Sequence, residues 1–212
     1  MVIDNRPKPR GRGRPTAELA PDHRRIMDRT LTLFSRHGFD AVSMRDIAAD
    51  CGVDAALLSR QFSSKHKLWE AVVEDVAATM QRWQEPIWAL QTEPAPIRAR
   101  LGQALCHFVR FCVEIPELNR LFTHEVRTDG PRADFVLKTL WAPHRAALLP
   151  LMVEAADAGI LTLPDPELAT TMVIGMACVP IVLETCRQED SVSADFVALL
   201  SRSLVAAILK PL

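Results

Sequence analysis

The stretch from Ser43 to Phe62, SMRDIAADCGVDAALLSRQF, leaves the chain around it little choice of fold. Ser43 followed three residues later by Asp46 forms a capping box that starts a helix. Met44, Ile47, Ala48 and Cys51 then recur at the spacing of one helical face. Gly52 stands where a helix end needs a residue tolerant of positive φ. Val53 is an apolar peg, and Asp54 can cap a second helix from Ala55 to Phe62, about two turns long. Leu58 and Phe62, four residues apart, anchor that helix to the first. Its other side carries Ala56, Leu57, Ser59 and Arg60, and Ala55 and Gln61 are further candidates for DNA contact. Small side chains around one arginine make a rod slim enough for the major groove of double-stranded DNA. The same pattern also occurs in all-α domains that never touch nucleic acid.

The flanks extend the pattern. Ile26 to Gly38 (IMDRTLTLFSRHG), Phe39, Ser43, Ile47-Ala48, Cys51-Gly52-Val53, Leu58, Phe62 and Ser64-Lys65 before Leu68 follow one another in a set order. In that order and spacing, residues from about 20 to 80 resemble the DNA-binding domain of TetR-family transcriptional regulators. The family often has Lys-Gly-Thr-Leu-Tyr-x-Tyr-Phe where this chain has Ala55 to Phe62. Its aromatic, phosphate-touching positions are therefore Ser59 and Gln61 here. Lys65 matches a position that in the family commonly meets a DNA phosphate. For this chain Arg60 is the first candidate for reading a base, followed by Ser59 and Gln61. Ala56 or Leu57 could meet a thymine methyl, while Ser43 and Arg45 are placed for backbone phosphate.

Charge is distributed unevenly. The whole chain carries −1, yet the segment up to Pro15 holds Arg6, Lys8, Arg10, Arg12 and Arg14 against Asp4, a net of +4. The remaining residues therefore sum to −5. Residues 1–19, with Pro7, Pro9, Pro15, Gly11 and Gly13, cannot hold a helix and read as a basic arm. Arg12-Gly13-Arg14-Pro15 resembles the core of an AT-hook, which would lay Arg12 and Arg14 in a narrow minor groove and add salt-sensitive affinity. A solubilising tail is the alternative reading.

With 212 residues, abundant hydrophobics, only 8 glycines and no strand-like alternation, an all-α fold of about nine helices is expected. Helices are predicted near 23–37, 43–51, 55–62, 65–83, 97–114, 117–127, 132–157, 166–187 and 193–209. Pro86, Pro94 and Pro96 mark 84–96 as a connection, which divides the chain into an arm (1–19), a helix-turn-helix domain (20–80) and a second helical domain (81–212). Pro143 and Pro150 are expected to kink the helix that holds them. Five cysteines without a C-x-x-C pair, and a charged, proline-rich start, fit a reduced, cytoplasmic setting. The longest apolar run, Met172 to Leu183, is too short to span a bilayer, so no membrane partner is expected. His and Cys do not cluster at ligand spacing, so no metal and no cofactor are expected.

In the second domain Phe108, Phe111, Phe122 and Trp141 recur at helical spacing, with the polar Glu125 and His144 among them. Such residues are ordinary core. The TetR resemblance implies instead a pocket for a small hydrophobic or amphipathic effector in this region. It also implies a homodimer through the two C-terminal helices, which are apolar round much of their girth. Two reading heads tied about one DNA turn apart would select a palindromic operator. The expected function is thus a sequence-specific transcriptional regulator, a repressor released by its ligand. An architectural protein binding DNA without sequence choice is the alternative. A helical enzyme using Cys106 or Cys112 with His107, His124 or His144 is the least supported reading, because no motif brings those residues together.

Overall fold

A computed structural model describes residues 23–127, 129–187 and 192–211. The basic arm, with Arg12 and Arg14, lies outside these residues. The described elements are α1 (His23–His37), α2 (Met44–Cys51), α3 (Ala55–Phe62), α4 (Lys65–Thr92), α5 (Ile97–Glu114) and α6 (Pro116–Glu125). They continue through α7 (Pro131–Val136), a π-helical segment (Leu137–Trp141), α8 (Ala142–Asp157), α9 (Pro166–Arg187) and α10 (Ala194–Ile208). Since α7, the π segment and α8 run on without a break, these elements make nine separate rods among the described residues. One isolated antiparallel bridge, Leu161 to Leu209, ties the end of the chain to the loop after α8.

Local sequence explains the first four helices. Ile26, Met27, Thr30, Leu31 and Phe34 turn one face of α1 inward. Gly38 ends it at φ +80°, its N–H bonded to the Phe34 carbonyl at 2.9 Å. Ser43 caps α2 reciprocally with Asp46, as expected: the serine hydroxyl accepts the Asp46 N–H, and the carboxylate accepts the Ser43 N–H at 2.8 Å. Those hydrogen bonds, from the serine hydroxyl and its N–H, hold the Asp46 carboxyl below its usual range. Gly52 closes α2 in the left-handed region. Asp54 then caps α3 by accepting the N–H groups of Ala56 and Leu57.

Helix α4 departs from the expected pattern. It does not stop near residue 83 but runs 28 residues to Thr92, straight through Pro86, a rod of about 42 Å. Proline removes one intrahelical hydrogen bond, yet the buried stripe continues beyond it through Ile87 and Leu90. Packing of those two side chains outweighs the lost bond. The break falls instead at Glu93, whose extended backbone (ψ 133°) suits the residue before Pro94. Helix α4 therefore crosses position 80, and one hydrophobic core runs through both halves of the chain.

Arg100 secures that helix end. Buried in α5, its guanidinium donates to the carbonyls of Leu90 (3.1 Å) and Ala95 (2.8 Å) and to the Glu154 carboxylate of α8. The Leu90 carbonyl belongs to the last turn of α4, where a cation opposes the helix dipole. The proline expectation for 132–157 takes a specific form. Ahead of Pro143 the rod winds into the π segment, with the Ala142 N–H bonded to the Leu137 carbonyl five residues back. Helix α8 then continues through Pro150.

Candidate nucleic-acid interface and ligand cavity

The α2–turn–α3 pair is held from behind. Leu58 and Phe62 are buried, Ile47, Ala48 and Cys51 face them from α2, and Arg25 of α1 donates to the Cys51 carbonyl at 2.9 Å. The outer side of α3 is open. Ala56, Ser59, Arg60 and Gln61 are exposed, while Ala55 and Leu57 are half-buried. Ser43 and Arg45, at the start of α2, are exposed. Arg60 Nε folds back onto the Ala56 carbonyl at 3.3 Å, and the Gln61 amide meets His23 Nδ1 at 3.0 Å. His23 was not foreseen as a neighbour of this face.

Lys65, at the start of α4, is not a freely solvated lysine. Its ammonium donates to the Phe39 carbonyl at 2.8 Å and stands 4.2 Å from the centre of the Phe39 ring. Arg132, from α7, lies over the same ring at 4.3 Å. That arginine also donates to Glu125 of α6 at 3.0 Å and to Asp40 at 3.4 Å. Glu125 thus departs from its expected place beside a ligand: its buried carboxylate faces Arg132, and it is absent from the cavity wall. The carboxylate needs a cation when buried, and Arg132 supplies it.

The second site is a cavity of about 40 Å³ between α4, α5, α6, α8 and α9. Phe108, Phe111, Phe122, Trp141 and His144 all border it. The Phe122 and Trp141 rings, both half-buried, lie 6.5 Å apart. The Phe108 and His144 rings are 4.3 Å apart deeper in. Burial lowers the His144 pKa to about 4, so the imidazole is neutral at physiological pH. Sequence reasoning missed Met80 of α4, Asn119 of α6 and the thiols of Cys112 and Cys178, which meet at 3.9 Å across α5 and α9. Nothing in their spacing separates them from ordinary core. Burial, then the neighbouring thiol, pushes the Cys112 pKa up. Among the described residues no three His, Cys, Asp or Glu side chains gather as a metal site.

Helix α6 connects the two sites. Leu118, Asn119 and Phe122 face the cavity, while the helix packs along α1. At its end His124 abuts Gly38 and Glu125 holds Arg132 over Phe39.

Comparison with known proteins agrees with this geometry. Residues 26–72 match the family described as bacterial regulatory proteins, tetR family. The HTH-type transcriptional regulator RutR of Escherichia coli (strain K12) is 26% identical over 123 residues, 56% of this chain and 54% of RutR. The chain spans about half the length of the curated relatives it matches. Among solved structures, AibR in complex with isovaleryl coenzyme A and operator DNA superposes with a TM-score of 0.68 at 18% identity, covering 89% of this chain and 98% of AibR. FadR from Bacillus subtilis in complex with stearoyl-CoA gives 0.64 at 18% identity, covering 87% and 98%. The matched segment and the capped helix pair coincide on the same residues, so over this stretch the chain is similar to the DNA-binding segment of the tetR family.

Proposed function

We propose that the protein is a DNA-binding transcriptional regulator that acts as a homodimer and leaves its operator when a small ligand fills the cavity. The observation that carries this reading is the open outer face of α3, pinned from behind and joined through α1 and α6 to an apolar cavity. Residues 23–80 would serve as the reading head and 81–211 as the ligand and dimer body, sharing α4. Arg60, Ser59, Gln61 and the small residues Ala55, Ala56 and Leu57 would face the bases. Ser43, Arg45 and Lys65 would face phosphates, with Arg12 and Arg14 following the minor groove.

The exposed apolar surface supports the dimer. Leu168, Met172, Val179 and Leu183 are all exposed and fall on one stripe of α9, with Gly175 on the same side. In α10 only Leu204 and Ile208 are buried, and Leu199 is exposed. Helix α9 is also long and apolar enough to cross a membrane by length and composition. Its opposite side, however, packs Val173, Ala177 and Ile181 into the core, so the stripe suits a second copy of the same helices.

Release would follow from linkage. The cavity is small here, so a ligand has to push Leu118 or Phe122 outward and move α6. That motion would reach Gly38 and Phe39 and change the spacing of the two heads, so DNA and ligand compete. A gel shift with the DNA upstream of the protein's own gene, at low salt, tests the reading. A retarded band that survives excess unrelated DNA is expected. No band would overturn it, and a band lost equally to any competitor would favour an architectural role.

A further inference from the structure

Among the described residues the cavity wall carries no charged side chain, and its polar atoms are few. Asn119 spends its amide N–H on the Cys112 carbonyl at 2.8 Å. The Cys112 thiol, with its raised pKa, stays protonated beside Cys178. The exception is His144, which is 5% exposed and borders the cavity with a buried Nε2 that has no hydrogen-bond partner. An orphaned buried nitrogen costs stability unless something is there to meet it. Around it stand the rings of Phe108, Phe111, Phe122 and Trp141 and the thioether of Met80, a lining suited to the faces and edges of a flat ring.

We propose that the cavity takes a small uncharged aromatic molecule bearing one hydroxyl or carbonyl group, which hydrogen-bonds His144 Nε2. This rests on the reading of the cavity as the effector site and gives that effector a chemical class. A neutral imidazole can accept from a hydroxyl or donate to a carbonyl, so either group satisfies it. A carboxylate or phosphate would need a cation. The imidazole supplies one poorly, since with a pKa of about 4 only about one molecule in a thousand is protonated at pH 7. The cavity of about 40 Å³ holds roughly three water-sized spheres, so a ring enters by pushing Phe122 aside at the half-buried mouth it shares with Trp141.

The test is direct binding by calorimetry of the full chain with para-cresol, toluene and benzoate. Para-cresol is expected to bind about tenfold tighter than toluene, the worth of one neutral hydrogen bond in a dry site, and benzoate to give no heat. In His144→Phe the advantage of para-cresol disappears while toluene stays within about twofold, which also shows that the cavity is still folded. If that variant does not fold, His144→Gln, which keeps a hydrogen-bonding group, should retain part of the preference. Equal affinity for para-cresol and toluene, tightest binding by benzoate, or heat from none of the three would each overturn the proposal. A gel shift on the same sample separates the cases. A protein that retards its operator but takes no probe has the wrong ligand class assigned, whereas one that takes para-cresol and retards no DNA loses the regulator reading alone.

Discussion

Gly38 and His124 lie so close that a methyl group on the glycine would stand 2.7 Å from two atoms of the imidazole. This is where the end of α1 meets α6. Gly38 also has φ +80°, a conformation L side chains rarely adopt. The exposed imidazole can swing away, whereas the backbone cannot relax without unmaking the turn into Phe39. Gly38→Ala should therefore cost about 1–2 kcal/mol, chiefly from the backbone. Urea unfolding of Gly38→Ala, His124→Ala and the double variant checks this. The cost should persist almost unchanged in the His124→Ala background; its disappearance there would make crowding the cause.

Arg100 and Glu154 are joined, but their burial differs sharply. The arginine side chain is 8% exposed and the glutamate 48%. Arg100→Met should destabilise the protein by about 3 kcal/mol, because the carbonyls of Leu90 and Ala95 lose a charged donor in a dry setting. Glu154→Gln should cost under about 1 kcal/mol, since solvent screens that end of the pair. Denaturant midpoints for the two variants would settle the order, and equal losses would contradict the account.

Most of the reading head was legible in the sequence because its signals are local. Ser43 with Asp46, Gly52, and Asp54 each act on neighbours within four residues, and the helices begin and end where those residues place them. The end of α4 was not legible, because Pro86 is a local breaker overruled by burial of Ile87 and Leu90, which depends on helices far along the chain. The cavity stands between these cases. Helical periodicity turns Phe108, Phe111 and His144 inward, but it does not tell which inward side chains border a void. Hence Cys112, Asn119 and Met80 were not assigned to the cavity, and Glu125, expected there, pairs instead with Arg132 from another helix.

His144 makes stability depend on pH. Its pKa falls from an ordinary 6.5 to about 4 in the folded chain, through burial. The unfolded chain then binds the extra proton first, so stability is lost as pH drops from about 6.5 towards 4 and levels off below. The full loss from this group is about 3 kcal/mol. His144→Phe should flatten that part of the profile. Urea midpoints at pH 7 and pH 4.5 for both proteins measure it, and an unchanged slope in the variant would assign the effect elsewhere.

Arg60 and Lys65 should fail in different ways. Arg60→Ala removes an exposed side chain that, among the described residues, bonds to its own helix turn, so folding stability should stay within about 0.5 kcal/mol. Discrimination at one base position should fall by about 1–3 kcal/mol. Lys65→Ala removes the brace on the Phe39 carbonyl and, on the proposed reading, a phosphate partner. It should weaken binding to every sequence alike, reduce the salt dependence by about one counterion, and lower stability by about 1 kcal/mol. Binding to a set of single-base operator variants at two salt concentrations separates the two. Uniform loss for Arg60→Ala would remove it from the bases.

Leu183 tests the assembly. It is 54% exposed near the end of the α9 stripe that also carries Leu168, Met172 and Val179. Leu183→Glu places a charge where a second copy would have to desolvate it, yet it alters nothing buried within one chain. The variant should melt within a few degrees of the parent when both are single chains, and should sediment as a monomer at micromolar concentration where the parent is a dimer. Because two joined heads multiply their affinities through effective concentration, its operator affinity should fall at least about a hundredfold. A monomeric parent would remove the dimer from the proposal. A Leu183→Glu dimer would move the interface off this stripe and on to the exposed side of α10 around Leu199, where the same substitution could be tried next.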